Sequence, residues 1–269
     1  MTKNMYALIL GASSGFGRAS ALELAKNGYN IIGVHLDMGS NRLKAEELRK
    51  EIENLGVEVT FYNSNAADDG ARNSIIEELK SKFNDGESNQ IRVVLHSLAF
   101  GALKPLFAKD PKDTCNRKQV EMTMDVMANS LVYWVQDLFT NNLLANNSRI
   151  FAMSSIGSMR AMANYGAVSA AKCALEAYVR QIAIELGQYK ITANTILAGM
   201  TDTPASNKIP AFAGMLVRAK DMIPFGRNTL PEDVAKIVLK LSDPDFYWIT
   251  GQTIAVDGGE SILNFVESK

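Results

Sequence analysis

The sequence predicts an α/β fold in which helices cover both faces of a doubly wound, seven-stranded parallel sheet. Three observations carry this prediction. Short continuous apolar runs recur from end to end, as strands buried on both faces require. Helical patterns separate those runs. The first run opens directly into a glycine-rich turn, G-A-S-S-G-F-G at 11–17, and then a helix. No repeat, low-complexity tract or Gly/Ser linker divides the chain, so residues 1–269 read as a single domain. A net charge of −1 gives no electrostatic reason to expect nucleic acid or an anionic membrane surface. The run Met5–Leu10 is too short for a signal or membrane segment. Cys115 and Cys173 lie far apart without ligand-like spacing, and His35 and His96 have no obvious metal-binding partners. A reduced cytoplasmic protein without a metal site is therefore expected.

Met5–Leu10 is the first strand. Gly11 permits the tight turn after it, Gly15 lets backbone amides approach a pyrophosphate, and Gly17 lets the helix Arg18–Asn27 pack close to the strand. The helix N-terminus carries partial positive charge suited to phosphates. Gly11, Ser13, Ser14, Gly15, Phe16 and Gly17 thus read as a dinucleotide cradle. Gly28 stops the helix, and the second strand, Asn30–Leu36, ends at Asp37. A carboxylate there holds adenosine ribose hydroxyls and repels a 2′-phosphate. His35 and Arg42 could instead face that phosphate, so NADH and NADPH both stay open. Helix Asn41–Asn54, strand Val57–Tyr62 and helix Ala71–Phe83 follow. Between the last two, Asn65 and Ala66 either touch an adenine ring or make a plain turn. A turn at Asp85–Asn89 leads to the strand Ile91–Leu95. It runs into His96-Ser97-Leu98-Ala99-Phe100-Gly101, a small-residue loop at the rim where α/β folds place ligands.

Lys104–Asp113 reads as a connection and Arg117–Asn146 as one or two helices. Met122, Met124 and Met127 on that stretch suit core or a subunit interface. Arg149–Met153 is the fifth strand, followed by Ser154-Ser155-Ile156-Gly157. One long helix is expected over Asn164–Gly187, apolar at Leu175, Val179, Ile182 and Leu186. Tyr165 near its start and Lys172 seven residues on return to nearly one face, about two turns and 10 Å apart. Strand Ile191–Leu197, a loop from Ala198 to Pro204 and an apolar helical segment at 205–222 come next. Helix Glu232–Leu241, opened by Pro231, and a last strand within Thr250–Gly259 complete the pattern.

The glycine turn, the terminal G-Q-T-I-A-V-D-G-G at 251–259 and the Tyr165/Lys172 pair resemble the short-chain dehydrogenase/reductase superfamily over nearly the whole chain. That resemblance implies a Rossmann-type fold. Most members place tyrosine four residues before lysine, where this chain has Val168. Tyr165 gives Tyr-x6-Lys instead, similar to the bacterial enoyl-acyl-carrier-protein reductases, whose fourth-strand loop resembles His96–Gly101. Ser155 stands where ordinary members keep their serine and where many of these reductases have a second tyrosine. The likeness is therefore to their NADPH-using, short-chain-like subtype. Met127 replaces the helical asparagine of the ordinary tetrad.

The resemblance implies NAD(P)H-dependent reduction of the 2,3 double bond of an enoyl thioester in fatty acid synthesis, the thioester carried by acyl-carrier protein or coenzyme A. Tyr165 would donate a hydrogen bond to the thioester oxygen, and Lys172 would bind the nicotinamide ribose and strengthen Tyr165 as a donor. Ser155 would assist the same oxygen or merely cap its loop. Ser97, Leu98, Ala99, Gly199, Thr201 and Thr203 would line the coenzyme. Phe100, Phe212 and Met215 would meet the acyl chain under a lid at 203–226, unless that segment is a dimer-packing helix. A homotetramer or homodimer is implied as well. The rivals are a short-chain carbonyl or 3-ketoacyl reductase, or alcohol dehydrogenase, using the same Ser155, Tyr165 and Lys172, and a non-catalytic dinucleotide-binding redox sensor.

Overall fold

The computed structural model describes residues 5–83 and 89–262, so residues 85–88 of the expected turn lie outside the described residues. Among the described residues, seven strands form one parallel sheet: β1 (Met5–Leu10), β2 (Asn30–His35), β3 (Val59–Asn63), β4 (Gln90–His96), β5 (Leu144–Ser155), β6 (Thr192–Ala198) and β7 (Thr253–Val256). Their order is β3-β2-β1-β4-β5-β6-β7, so the winding reverses between β1 and β4. Alternation along each strand divides the core into two layers. Ala7 and Ile9 of β1 join α1 (Gly15–Lys26), α2 (Ser40–Glu53) and α8 (Pro231–Leu241) on one face. Leu8 and Leu10 face α3 (Asp69–Lys82), α5 (Ser130–Thr140) and α6 (Gly166–Leu186) on the other.

Four boundaries depart from the sequence reading, each for a local reason. The expected helical stretch ending at Asn146 is α4 (Arg117–Met124), a π turn over Asp125–Asn129 and then α5, and the chain is already in β5 at Leu144. β5 starts with a detour: Ile91 pairs with Leu144 but Val93 with Arg149, and Asn147 takes φ 66° in the excursion between them. The long helix begins at Gly166, because Asn164 is left-handed (φ 61°) and leaves Tyr165 as the N-cap residue. Tyr165 therefore stands at the mouth of α6 rather than on it. The segment expected to be helical from 205 is a 3-10 turn, Ser206–Lys208, followed by α7 (Phe212–Met222). Pro210 accounts for the gap: it holds Ile209 extended (ψ 127°), and Ala211 then enters α7 from the left-handed region.

Candidate active site

The C-terminal ends of β1, β4, β5 and β6 share one rim, at the place where α/β sheets receive ligands. The glycine turn after β1 is tightly built there. A Cβ on Gly11 (φ +91°) would lie 2.5 Å from the Ser97 carbonyl oxygen, and one on Gly17 would lie 2.0 Å from the Gly11 carbonyl oxygen. Ser97 in turn donates its amide to the Leu10 carbonyl at 2.8 Å, locking the loop after β4 to the turn. Ser14 caps α1 with an extended backbone and no side-chain bond. The first-turn amides of this twelve-residue helix keep no partner from that cap. A turn stripped of side chains in front of a helix N-terminus fits the pyrophosphate of a dinucleotide.

At the end of β2, Asp37 accepts a 2.8 Å contact from His35 Nδ1 through one carboxylate oxygen. Asn63 holds its backbone from both sides, and Arg42 Nε donates to its carbonyl at 3.1 Å. Arg42 is thus tied through Nε to the Asp37 backbone and His35 to the Asp37 carboxylate. Asn65 closes a turn by accepting the Ala67 amide, and Ala66 is buried with its carbonyl taken by the Trp134 indole.

Ser155 ends β5, and its Oγ is buried with no well-formed hydrogen bond among the described residues. It does not cap its loop, since that role falls to Ser158, which donates to the Ser155 carbonyl. The Tyr165 phenol lies alongside: a Cβ on Gly157 would meet the tyrosine ring at 2.6 Å and the Ser155 oxygen at 3.2 Å. Burial raises the phenol's pKa above its ordinary value, while the Ser155 hydroxyl beside it pulls the other way. Lys172 is fully buried and donates from Nζ to the Met153 carbonyl at 2.6 Å. Burial lowers its pKa to about 8, against a raising effect of Glu176 one turn along. The charge of Lys172 acts on His96, lowering its pKa further.

The loop after β6 is braced by residues with no local signal in the sequence. Thr201 Oγ1 donates to the Gly199 carbonyl, Ser206 Oγ bonds to Thr203, and the Met200 amide donates to Glu260 at 2.7 Å. Glu260 and Asn63 could be found only from the fold, because each contact depends on the chain's return. On the segment 203–226 Phe212 is buried and Met215 half-buried, whereas Phe100 is 60% exposed, with Lys208 Nζ 5.9 Å from its ring centroid.

His96 is the other buried ionisable group at this rim. Its Nε2 lies 2.9 Å from Ser130 Oγ, and Ser130 reaches back to the Val126 carbonyl in the π turn. Burial, and secondarily Lys172, lower its pKa to about 3. An unfolded chain takes up that proton near pH 6.5, so the unfolded state binds more protons between about 6.5 and 3. Stability should fall as pH drops through that window, by about 2 kcal/mol between pH 7 and 5. Urea unfolding at both pH values checks this, and His96→Asn should lose that increment. Lys172 works in the opposite range, its burial penalty easing as pH rises from about 8 toward 10.5.

Residues 11–261 match the family described as "Enoyl-(Acyl carrier protein) reductase". The chain is a short-chain dehydrogenase/reductase. As a member of that superfamily it is an NAD(P)-dependent reductase, which the glycine cradle fits. This short-chain dehydrogenase/reductase is 26% identical over 265 residues to the "Hydroxynaphthalene reductase-like protein Arp2" of Metarhizium guizhouense, covering 94% of this chain and 93% of that one. It is 26% identical over 263 residues to the "1-cyclohexenylcarbonyl-CoA reductase" of Streptomyces collinus, covering 97% and 88%. Among solved structures, the enoyl-[acyl-carrier-protein] reductase (NADH) of Aquifex aeolicus superposes with TM-score 0.83 at 23% identity, over 98% of this chain and 99% of that one. At that identity the superposition speaks for the fold. No described helix of this reductase is long and apolar enough to cross a membrane.

Proposed function

We propose that this chain reduces the 2,3 double bond of an enoyl thioester. The observation that carries the reading is the placement of its phenol. Val168, four residues before Lys172, is a buried core residue packed against Gly101, where a Cβ would meet it at 2.8 Å. Tyr165 is the phenol left beside Ser155, about one helical turn further from Lys172. A carbonyl reductase needs its donor next to the carbon that receives hydride. In an enoyl thioester the oxygen lies two bonds further away, and a shift of ~5 Å along α6 is in the compatible sense.

When bound, the nicotinamide supplies a hydride to the substrate's β-carbon. As that bond forms, the π electrons of the double bond move toward the thioester oxygen as an enolate. Tyr165, kept neutral by burial, donates a hydrogen bond to this oxygen. The Ser155 hydroxyl, buried beside the phenol, adds a second donor. Lys172 is anchored through the Met153 carbonyl, and its remaining N–H groups orient the nicotinamide ribose. Protonation of the α-carbon completes the reduction. The segment 203–226 closes over the acyl chain and keeps water from the reacting carbons, with the left-handed Ala211 as the point where it bends. Assembly as a homodimer or homotetramer is part of the same reading. The outer face of α4, where Val120, Met122, Met124 and Asn129 line a groove, is the surface it would use.

The second reading, a ketoreductase, is favoured by Ser155 lying against the phenol. Purified protein mixed with crotonyl- and acetoacetyl-thioesters, on coenzyme A and on acyl-carrier protein, separates the two when NADPH and NADH oxidation are followed. Turnover of the crotonyl substrates is expected. Turnover of the acetoacetyl substrates alone would transfer the chain to the ketoreductases.

A further inference from the structure

The N-terminal ends of β4 and β5, opposite the rim that holds the catalytic residues, carry two guanidinium groups. Arg149 is 1% exposed, and its Nη1 donates to the carbonyls of Asn147 at 2.6 Å and Ser148 at 3.3 Å. Its Nε and Nη2 are buried with no hydrogen-bond partner among the described residues. Those two N–H groups make up the fork that matches the edge of a carboxylate or phosphate. On neighbouring β4, half-buried Arg92 donates from Nη1 to the Asn146 carbonyl at 2.7 Å. The two cations are close enough that Arg92 depresses the protonation of Arg149 beyond the effect of burial. Tyr29, buried just after α1, feels both of them. Asp243, exposed beyond α8, is the carboxylate within electrostatic range, yet neither arginine is ion-paired among the described residues.

Burying one guanidinium and setting a second beside it is unfavourable unless an anion offsets both. The carbonyls that Arg149 meets occupy one of its edges, and the fork on the other edge is the part of the side chain best shaped for an oxyanion. We propose that Arg149, Arg92 and Tyr29 form a binding site for a small oxyanion, a phosphate or a free carboxylate, separate from the coenzyme cradle. Arg149 and Ser155 stand at opposite ends of the extended β5, about 20 Å apart, so one ion cannot serve both.

The test uses the full chain in phosphate, acetate and chloride at matched ionic strength, following the melting temperature and, for phosphate, the 31P line width. The expected result is a saturable rise in melting temperature with phosphate, acetate or both, together with broadening of the phosphate signal if phosphate is the ligand. Chloride should give neither. Arg92→Gln and Tyr29→Phe, which leave the buried Arg149 in place, should weaken that response at least tenfold in ligand concentration. Arg149→Met should abolish it. Equal rises in wild type and in Arg92→Gln, or a rise in chloride matching that in the oxyanions, would overturn the proposal. Because the readouts involve no turnover, they stand or fall apart from the enoyl-reductase reading.

Discussion

Tyr165→Phe should lower kcat for an enoyl thioester by about 10²- to 10³-fold, the usual effect of removing one donor from a developing oxyanion. The ring remains against Gly157, so packing is kept while the hydroxyl is lost. Coenzyme KM should stay within about threefold, since Lys172 is held by the Met153 carbonyl rather than by the phenol. Ser155→Ala should give a smaller loss in the same parameter. The two losses should not add fully, because both hydroxyls face one oxygen. Steady-state kinetics on the two single variants and on the double variant decides the matter. A Tyr165→Phe enzyme that keeps wild-type kcat would remove the phenol from the mechanism.

Gly17→Ala should abolish coenzyme binding and, in the severe case, soluble expression. The added Cβ would meet the Gly11 carbonyl oxygen at 2.0 Å, and backbone lies on both sides of that contact. No flexible side chain can yield, so the turn or α1 itself must shift, at a cost beyond the 1–3 kcal/mol typical of overpacked cores. Gly214→Ala provides the contrast. A Cβ there meets nothing within 4 Å, and the residue sits inside α7. That substitution should stabilise the helix by up to ~1 kcal/mol. Coenzyme titration by fluorescence and thermal melts of both variants give the comparison.

These expectations rest on features with very different visibility in the sequence. The buried strands were legible because parallel strands covered on both faces read as unbroken apolar runs, as at Met5–Leu10 and Thr192–Ala198. The cradle was legible because its glycines lie together between a strand and a helix. Tyr165 and Lys172 were legible as a spacing, but not their surroundings. One left-handed residue, Asn164, takes Tyr165 off the helix, and the fold buries Lys172 next to His96. The detour at 145–148 was hidden for another reason. Leu143, Leu144 and Ala145 extend an apolar helical pattern, and only pairing with β4 turns them into a strand. Glu260 and Asn63 had no local signature at all, being contacts between segments that meet only once the sheet is complete.

The five residues Asp125–Asn129 make the helical stretch one residue longer than regular winding needs. Deleting a single residue from them would let the ladder close normally and would improve the helix as a helix. It would also swing everything downstream by about 100°. Ser130 would leave His96, the Trp134 indole would leave the Ala66 carbonyl, and Tyr178 would lose Asn129. A shorter chain could therefore be better wound and worse folded. The surplus residue acts as a phase-setter, aligning the second half of the rod with the sheet it covers.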